Sequence, residues 1–192
     1  MATFFTADTH FGDAHILRQR GDAFASIEAH DEALIAGWNA VVTPEDEVWH
    51  LGDFASDTSR EHCEYVFARL NGRKYLVRGN HDTNRVLRLA WAEAPVESAR
   101  LTACDAEGRE WRFFLAHYAH RAWPGLWRGV RHLYGHTHGR LSDTQRSCDA
   151  GVDAWHYCPV GIAAILARQN AAASQPEELA LAEQPGSTGA SS

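Results

Sequence analysis

The 192-residue sequence has no apolar run approaching the roughly 20 residues that a membrane span requires, and no charged-then-apolar leader at its start. Cysteine is scarce. The four thiols, at 63, 104, 148 and 158, show no Cys-x-x-Cys spacing, which leaves reduced, buried thiols in a cytoplasmic protein as the expectation. Excess positive charge is also missing, with 18 basic against 25 acidic residues and a formal charge of -7. That balance disfavours a wide phosphate-tracking surface but not a pocket for one phosphate. No internal repeat occurs. From 171 to 192 the composition collapses to Ala, Ser, Gly, Pro, Gln and Glu, so a disordered tail is expected there, after one domain at 1–170 able to bury its own core.

What the chain does have is histidine, twelve in all, grouped with Asp and Asn behind short apolar runs. The organising stretch is Glu47-Val48-Trp49-His50-Leu51-Gly52-Asp53-Phe54. Its apolar part reads as a buried strand, Gly52 permits a sharp turn, and Asp53 then sits where open α/β sheets place their chemistry. Asp53 is expected to bridge two metal ions. Residues 3–10, 74–82, 111–117 and 132–138 repeat the same grammar.

A strand over 3–7 leads into Asp8-Thr9-His10, whose outer two side chains can converge on one ion in extended backbone. Residues 26–42 carry helical apolar spacing behind a Ser26 cap, with His30 expected to be solvated. Thr58 and Glu61 suggest a capping box for a helix reaching about 70, and a strand over 74–78 follows. Gly79-Asn80-His81-Asp82 has two readings. Either Asn80 lends a carbonyl oxygen to a metal while His81 stays free as a proton donor, or the segment is a turn in which Asp82 caps a helix over 83–92.

Two strands around Glu107-Gly108, over 96–103 and 110–116, suggest a second, more antiparallel sheet. The later strand ends directly on His117, which is therefore preferred over His120 as a ligand. Trp123 and Trp127 flank a loop expected to be buried. After a strand over 130–134, Gly135-His136-Thr137-His138-Gly139 can present two imidazoles to one side, a spacing that suits two ions. A strand over 152–157 and a helix opened by Pro159 over 160–167 complete the ordered chain.

Taken together, Asp8-Thr9-His10, Gly52-Asp53, Gly79-Asn80-His81-Asp82, His117 and Gly135-His136-Thr137-His138 resemble, in order, the five motifs of the calcineurin-like metallophosphoesterase superfamily. Thr9-His10-Phe11-Gly12 and Gly151-Val152-Asp153-Ala154-Trp155 are similar to its small stand-alone bacterial members. The resemblance covers roughly residues 2–168. It implies an α/β (α+β) four-layer αββα sandwich, with two mixed β-sheets flanked by helices. It also implies one ion held by Asp8, His10, Asp53 and His138, and another held by Asp53, Asn80, His117 and His136. His81 would then stay off the metals.

Carboxylate and imidazole donors without thiolate suit Mn, Fe or Zn, as two divalent or mixed-valence ions, better than Ca²⁺ or Mg²⁺. Two such ions about 3.5 to 4 Å apart would activate a bridging hydroxide for attack on phosphorus, with His81 as general acid. Asp82 is a candidate to orient an imidazole, and Arg78, Tyr118 and Arg121 are candidates for phosphate contact. The expected substrate is a small phosphate monoester or diester, nucleotides included. A nuclease acting on nucleic-acid ends is the alternative. It needs a basic groove, one side of which Arg112, Arg121, Arg128 and Arg131 could line, and the acidic net charge counts against it. A non-catalytic scaffold is disfavoured because no ligand position departs from the pattern.

Overall fold

The computed structural model describes residues 1–182. Strand β1 (Thr3–Thr6) is followed by helices α1 (Ile16–Arg20) and α2 (Ile27–Val41), then β2 (Glu47–His50), α3 (Arg60–Arg69), β3 (Arg73–Leu76) and the single turn α4 (Asn84–Leu87). The second half holds β4 (Ser98–Cys104), β5 (Glu110–Ala116), β6 (Arg131–Tyr134), β7 (Ser147–Asp149), β8 (Val160–Gly161), α5 (Ile162–Ala171) and α6 (Glu177–Ala182).

The strands form two four-stranded mixed sheets, ordered β3-β2-β1-β8 and β4-β5-β6-β7. In the first, β8 alone runs antiparallel; in the second, only the β4–β5 pair does, fewer antiparallel contacts than the sequence suggests. Apolar side chains from both sheets interdigitate between them, with Phe5, Leu51, Phe113, Leu115, Leu133 and Ile165 at the centre and the Phe5 and Phe113 rings 5.2 Å apart. The run Phe113-Phe114-Leu115-Ala116 is buried throughout, the unbroken pattern of a strand covered on both faces. Helices α2 and α3 cover the outside of the first sheet through Leu34, Ile35, Trp38, Val66 and Phe67. Over the second sheet the covering layer is slighter: Trp123 and Leu126 of the 119–130 segment, with Leu179 of α6, pack on Phe114.

Local signals placed most elements correctly. The Ser26 side chain accepts from the Ala29 amide and opens α2. For α3 the cap is Ser59, which accepts from His62, rather than Thr58. The helix expected over 83–92 stops at Leu87, because the chain beyond it is drawn alongside β3: Ala92 donates to Lys74 O at 2.8 Å and Val96 to Leu76 O at 3.1 Å. The strand expected over 152–157 is a 3-10 turn at Val152–Ala154, with His156 and Tyr157 left-handed. Before α5 begins, Val160 and Gly161 pair with β1, two residues too few to show a pattern.

Three further expectations change. Within the segment read as a structureless tail, α6 forms with Pro176 buried, the Ser174 carbonyl accepting from Gln145, and Glu177 paired with Arg121. Positions 183–192 lie outside the described residues. Cys63 and Cys148 are buried free thiols, whereas Cys104 is exposed and Cys158 half-buried. Trp123 is buried but Trp127 stands 61% exposed. No helix among the described residues is long and apolar enough to cross a membrane.

Leu115 is fully buried between the layers. Leu115→Ala is expected to lower unfolding stability by about 2 to 5 kcal/mol. Val41→Ala, on the 39% exposed side of α2, should change it by under about 0.5 kcal/mol. Urea midpoints at unchanged m-value check both, and a Leu115 effect no larger than that at Val41 would contradict the position of the core.

Candidate metal centre

Beyond the C-terminal ends of β1 and β2 the two chains stay hydrogen-bonded: Asp8 N donates to Gly52 O, His10 N to Asp53 O and Phe11 N to Phe54 O, all at 2.9 to 3.0 Å. Within this pairing Asp8 (φ 56°), His10 (49°) and Asp53 (59°) are left-handed, as are His136 (66°) and His138 (49°) after β6. The convergence of Asp8 with His10, and of His136 with His138, therefore comes from alternating left-handed turns rather than the extended backbone expected from the spacing. Each such residue costs about 1 to 2 kcal/mol, although Asp and His tolerate the region better than most. Two glycines make room. A Cβ on Gly52 would lie 2.6 Å from Gly79 and from His117 Nδ1, and one on Gly79 would lie 2.3 Å from Asp53 Oδ1.

The turns gather donor atoms into two groups, Asp8 with His10 and His138, and Asp53 with His117 and His136. Within each, the potential ligand atoms lie within 4.8 Å of one another. Asp53 Oδ2 faces both groups, 3.7 Å from His10 Nε2 and 3.4 Å from His117 Nε2. Asn80 Oδ1 is 2.9 Å from His117 Nε2.

Outer hydrogen bonds fix the imidazole tautomers. His117 Nδ1 donates to the Leu51 carbonyl at 2.8 Å, and His138 Nδ1 donates to Asp153 Oδ2 at 2.8 Å. His10 Nδ1 donates to Ser56 Oγ at 3.2 Å, because that hydroxyl gives its own proton to Asp13 at 2.7 Å. Each neutral ring then turns a bare Nε2 inward. His10 Nε2 is buried with no hydrogen-bond partner, and His117 Nε2 meets two oxygens that cannot donate to it. Acceptors crowded round a common point require a cation or extra protons, so this donor set fits metal ions.

Protonation follows the same logic. Burial pushes the Asp8 carboxyl up to about 7 and His10 down to about 4. For Asp53 burial acts upward, but the neighbouring His117 overcomes it and holds the group at about 2. Burial likewise works against charged His117 and His138, yet Asp53 and Asp153 outweigh it and lift both above the ordinary histidine range.

The remaining sequence candidates divide. His81 is exposed, its amide held by Asp53 Oδ1 at 2.8 Å and its ring 5.4 Å from that of His10. Tyr118 is half exposed, with its ring against His117 and His136. Arg78 and Arg121 are not drawn in, since they pair on the surface with Glu97 and Glu177. Asp82 neither caps α4 nor touches an imidazole. Its buried carboxylate accepts from the amides of Asp53, Phe54 and Gly79 at 2.8 to 2.9 Å.

Arg20 is a contributor that sequence reading missed. Buried to 8% exposure, it forks onto both Asp153 oxygens at 2.8 and 2.9 Å and donates to the carbonyls of Asp8 and Thr9 at 2.7 and 3.3 Å. Its other flank touches His30, which is fully buried against Asp31 instead of solvated. Asp149 accepts from Thr137, Gly139 and Gly151, bracing the loop that carries His136 and His138. The acidic pair Asp149 and Asp153 around Gly151 was the only sequence trace of this layer; five-residue α1 is too short to show a period.

The family model for calcineurin-like phosphoesterases matches residues 1–149. The Gene 66 protein of Mycobacterium phage D29 is 34% identical over 179 residues, covering 80% of this chain and 88% of the phage protein. Its namesake in Mycobacterium phage L5 is 29% identical over 182 residues, with 80% and 87% covered. The crystal structure of a protein of unknown function from Aquifex aeolicus shares the fold, with a TM-score of 0.64 at 22% identity over 85% of this chain and 97% of that one.

Two outcomes are expected of this centre. Arg20→Met removes the fork behind His138 and the Asp8 turn, and should weaken cation binding by about 10- to 100-fold. Metal titration of the folded variant checks this, and unchanged affinity would deny Arg20 a positioning role. In the metal-free protein Asp8, His117 and His138 hold protons more tightly than the unfolded chain does, so their stabilisation is lost as pH rises through their folded values. The lowered His10, His50, His132 and His136 act oppositely, but that gain is complete by about pH 6.5. As pH rises above about 6.5 the chelated protein should lose stability while metal binding, which expels those protons, tightens. The Tm gained on adding excess Mn²⁺ should widen across that range; a constant gain counts against these groups as ligands.

Proposed function

The chain belongs to the calcineurin-like phosphoesterase family, whose members are metal-dependent phosphoester hydrolases, and from that footing we propose that it hydrolyses small phosphate monoesters or diesters, nucleotides among them, at a two-cation centre. The observation that carries this reading is Asp53, whose single Oδ2 faces both donor groups and can serve two ions at once. Asp8, His10, Asp53 and His138 would hold one ion, and Asp53, Asn80, His117 and His136 the other. Oxygen and imidazole donors without thiolate favour Mn, Fe or Zn. Such a pair supplies Lewis acidity toward a phosphoryl group and an activated water as nucleophile.

The protein's own part is placement. Asp82 and Arg20 hold the loops on which the donors ride, and the exposed Asn80, His81 and His136 mark the side open to substrate. His81 lies beside the donors without joining either group, which suits an imidazole that gives its proton to the departing oxygen, a role worth about 10² to 10⁴ in rate. Tyr118, whose ring lies against His117 and His136, would border the ester.

Reconstituting apoprotein with Mn²⁺, Zn²⁺ or Fe²⁺ and assaying p-nitrophenyl phosphate beside its bis-ester tests the proposal. Turnover of at least one ester is expected, and none with a fully metal-loaded protein would overturn it. His81→Ala should retain most bound metal while losing most turnover, whereas Asp53→Ala should empty both sites. Parallel loss of metal and activity in the His81 variant would refute the division of roles.

A further inference from the structure

We propose that the cleft between the β4–β5 ladder and the 124–130 turn is a phosphate-binding site separate from the metal centre. β4 is an edge strand whose Ala99, Leu101 and Ala103 pack inward, so Arg100 and Thr102 face outward. Thr102 pairs with Arg112, which places Arg100 and Arg112 diagonally on the same face. The turn through Gly125 lays Arg128 against them, and Arg112 Nη2 donates to the Arg128 carbonyl.

Arg100, Arg112 and Arg128, with Thr102, Pro124 and Val130, line a cleft of about 240 Å³. At roughly 30 Å³ per water, that is room for a phosphoryl group and part of its carrier. No carboxylate lines the cleft, and among the described residues the Arg100 and Arg128 side chains have neither ion pair nor hydrogen bond. The three arginines are exposed, so solvent screens their mutual repulsion, and an anion shared among them relieves what remains in a chain that otherwise has carboxylates to spare. Planar guanidinium forks match phosphate oxygens better than they match any neutral ligand.

The site is not an extension of the metal centre. Arg100 pairs with Phe114, three residues before His117, and Arg112 lies five before it, so the cleft begins about 10 Å from the metal-bearing end of β5 and extends to about 16 Å. The phosphate it takes is a second one, carried either by a small oligophosphate or by a nucleic-acid strand.

The test uses the metal-loaded full chain and its Arg100→Gln/Arg112→Gln double variant, titrated separately with inorganic pyrophosphate and with a single-stranded hexamer of deoxythymidine at several salt concentrations. At least one probe should bind the parent about tenfold or more tighter than the variant, with p-nitrophenyl phosphate turnover unchanged. For the hexamer, the slope of log affinity against log salt should fall by about 1 to 2 in the variant. A difference with pyrophosphate identifies a small-anion site, and one with the hexamer alone identifies a strand site; both uphold the proposal. It is overturned if neither probe binds the parent, if parent and variant bind equally, or if ester turnover falls in step with binding, which would put the arginines at the metal centre. Arg128→Gln, a change in an exposed turn, gives the same comparison should the double variant unfold. A binding difference without any ester turnover would leave this site standing and remove the proposed enzymatic function instead.

Discussion

Three backbone amides, those of Asp53, Phe54 and Gly79, converge on the buried carboxylate of Asp82, and the centre depends on that convergence. It locks the loop after β2 to the loop after β3, so that Asp53 and Asn80 come from different strands yet hold a fixed relation. Burial raises the Asp82 carboxyl above its ordinary range in spite of the three amide bonds, so holding it there has an electrostatic cost. Hydrogen bonds to an ionised group are worth about 1.5 to 3 kcal/mol each, enough to offset the left-handed turn at Asp53.

Arg20 and Asp149 do the same for the other loops. Arg20 joins the Asp8 turn to Asp153, and through it to His138; Asp149 braces the loop between His136 and His138. The inner donors are thus few, while Asp82 and Asp149 accept backbone amides, Arg20 donates to the carbonyls of Asp8 and Thr9, and the Nδ1 protons go to Ser56, Leu51 O and Asp153. This division explains why each histidine that makes an outer contact presents the same nitrogen inward.

The donor residues were legible in the sequence because each follows a short apolar run, and because Asp, Asn and His are unusual company for a strand end. The sheets were legible for the same reason. The backbone that makes the donors converge was not: spacing of two suggested extended chain, while the real geometry is left-handed at five donor positions, a fact set by tertiary hydrogen bonds rather than by local preference. Asp82 looked like a helix cap because Asp before a polar turn usually is one, but the helix it would cap is a single turn and the carboxylate is needed elsewhere. Arg20 carried no signal, since its role arises from a contact with Asp153 across 133 positions of sequence. α6 shows the same limit, held by Arg121 and Trp127 more than fifty positions away.

The covering of the second sheet has a consequence of its own. Where the first sheet is roofed by two full helices, the second is roofed by an irregular segment and the short α6, clasped by side-chain contacts at the surface: Glu177 to Arg121 and Glu178 to Trp127. Such a roof has few buried contacts and opens at lower free energy than the sheets beneath it. Amide hydrogens of residues 119–130 and 176–182 are therefore expected to exchange with solvent ahead of those in β5 and β6, with the fold breathing on that flank.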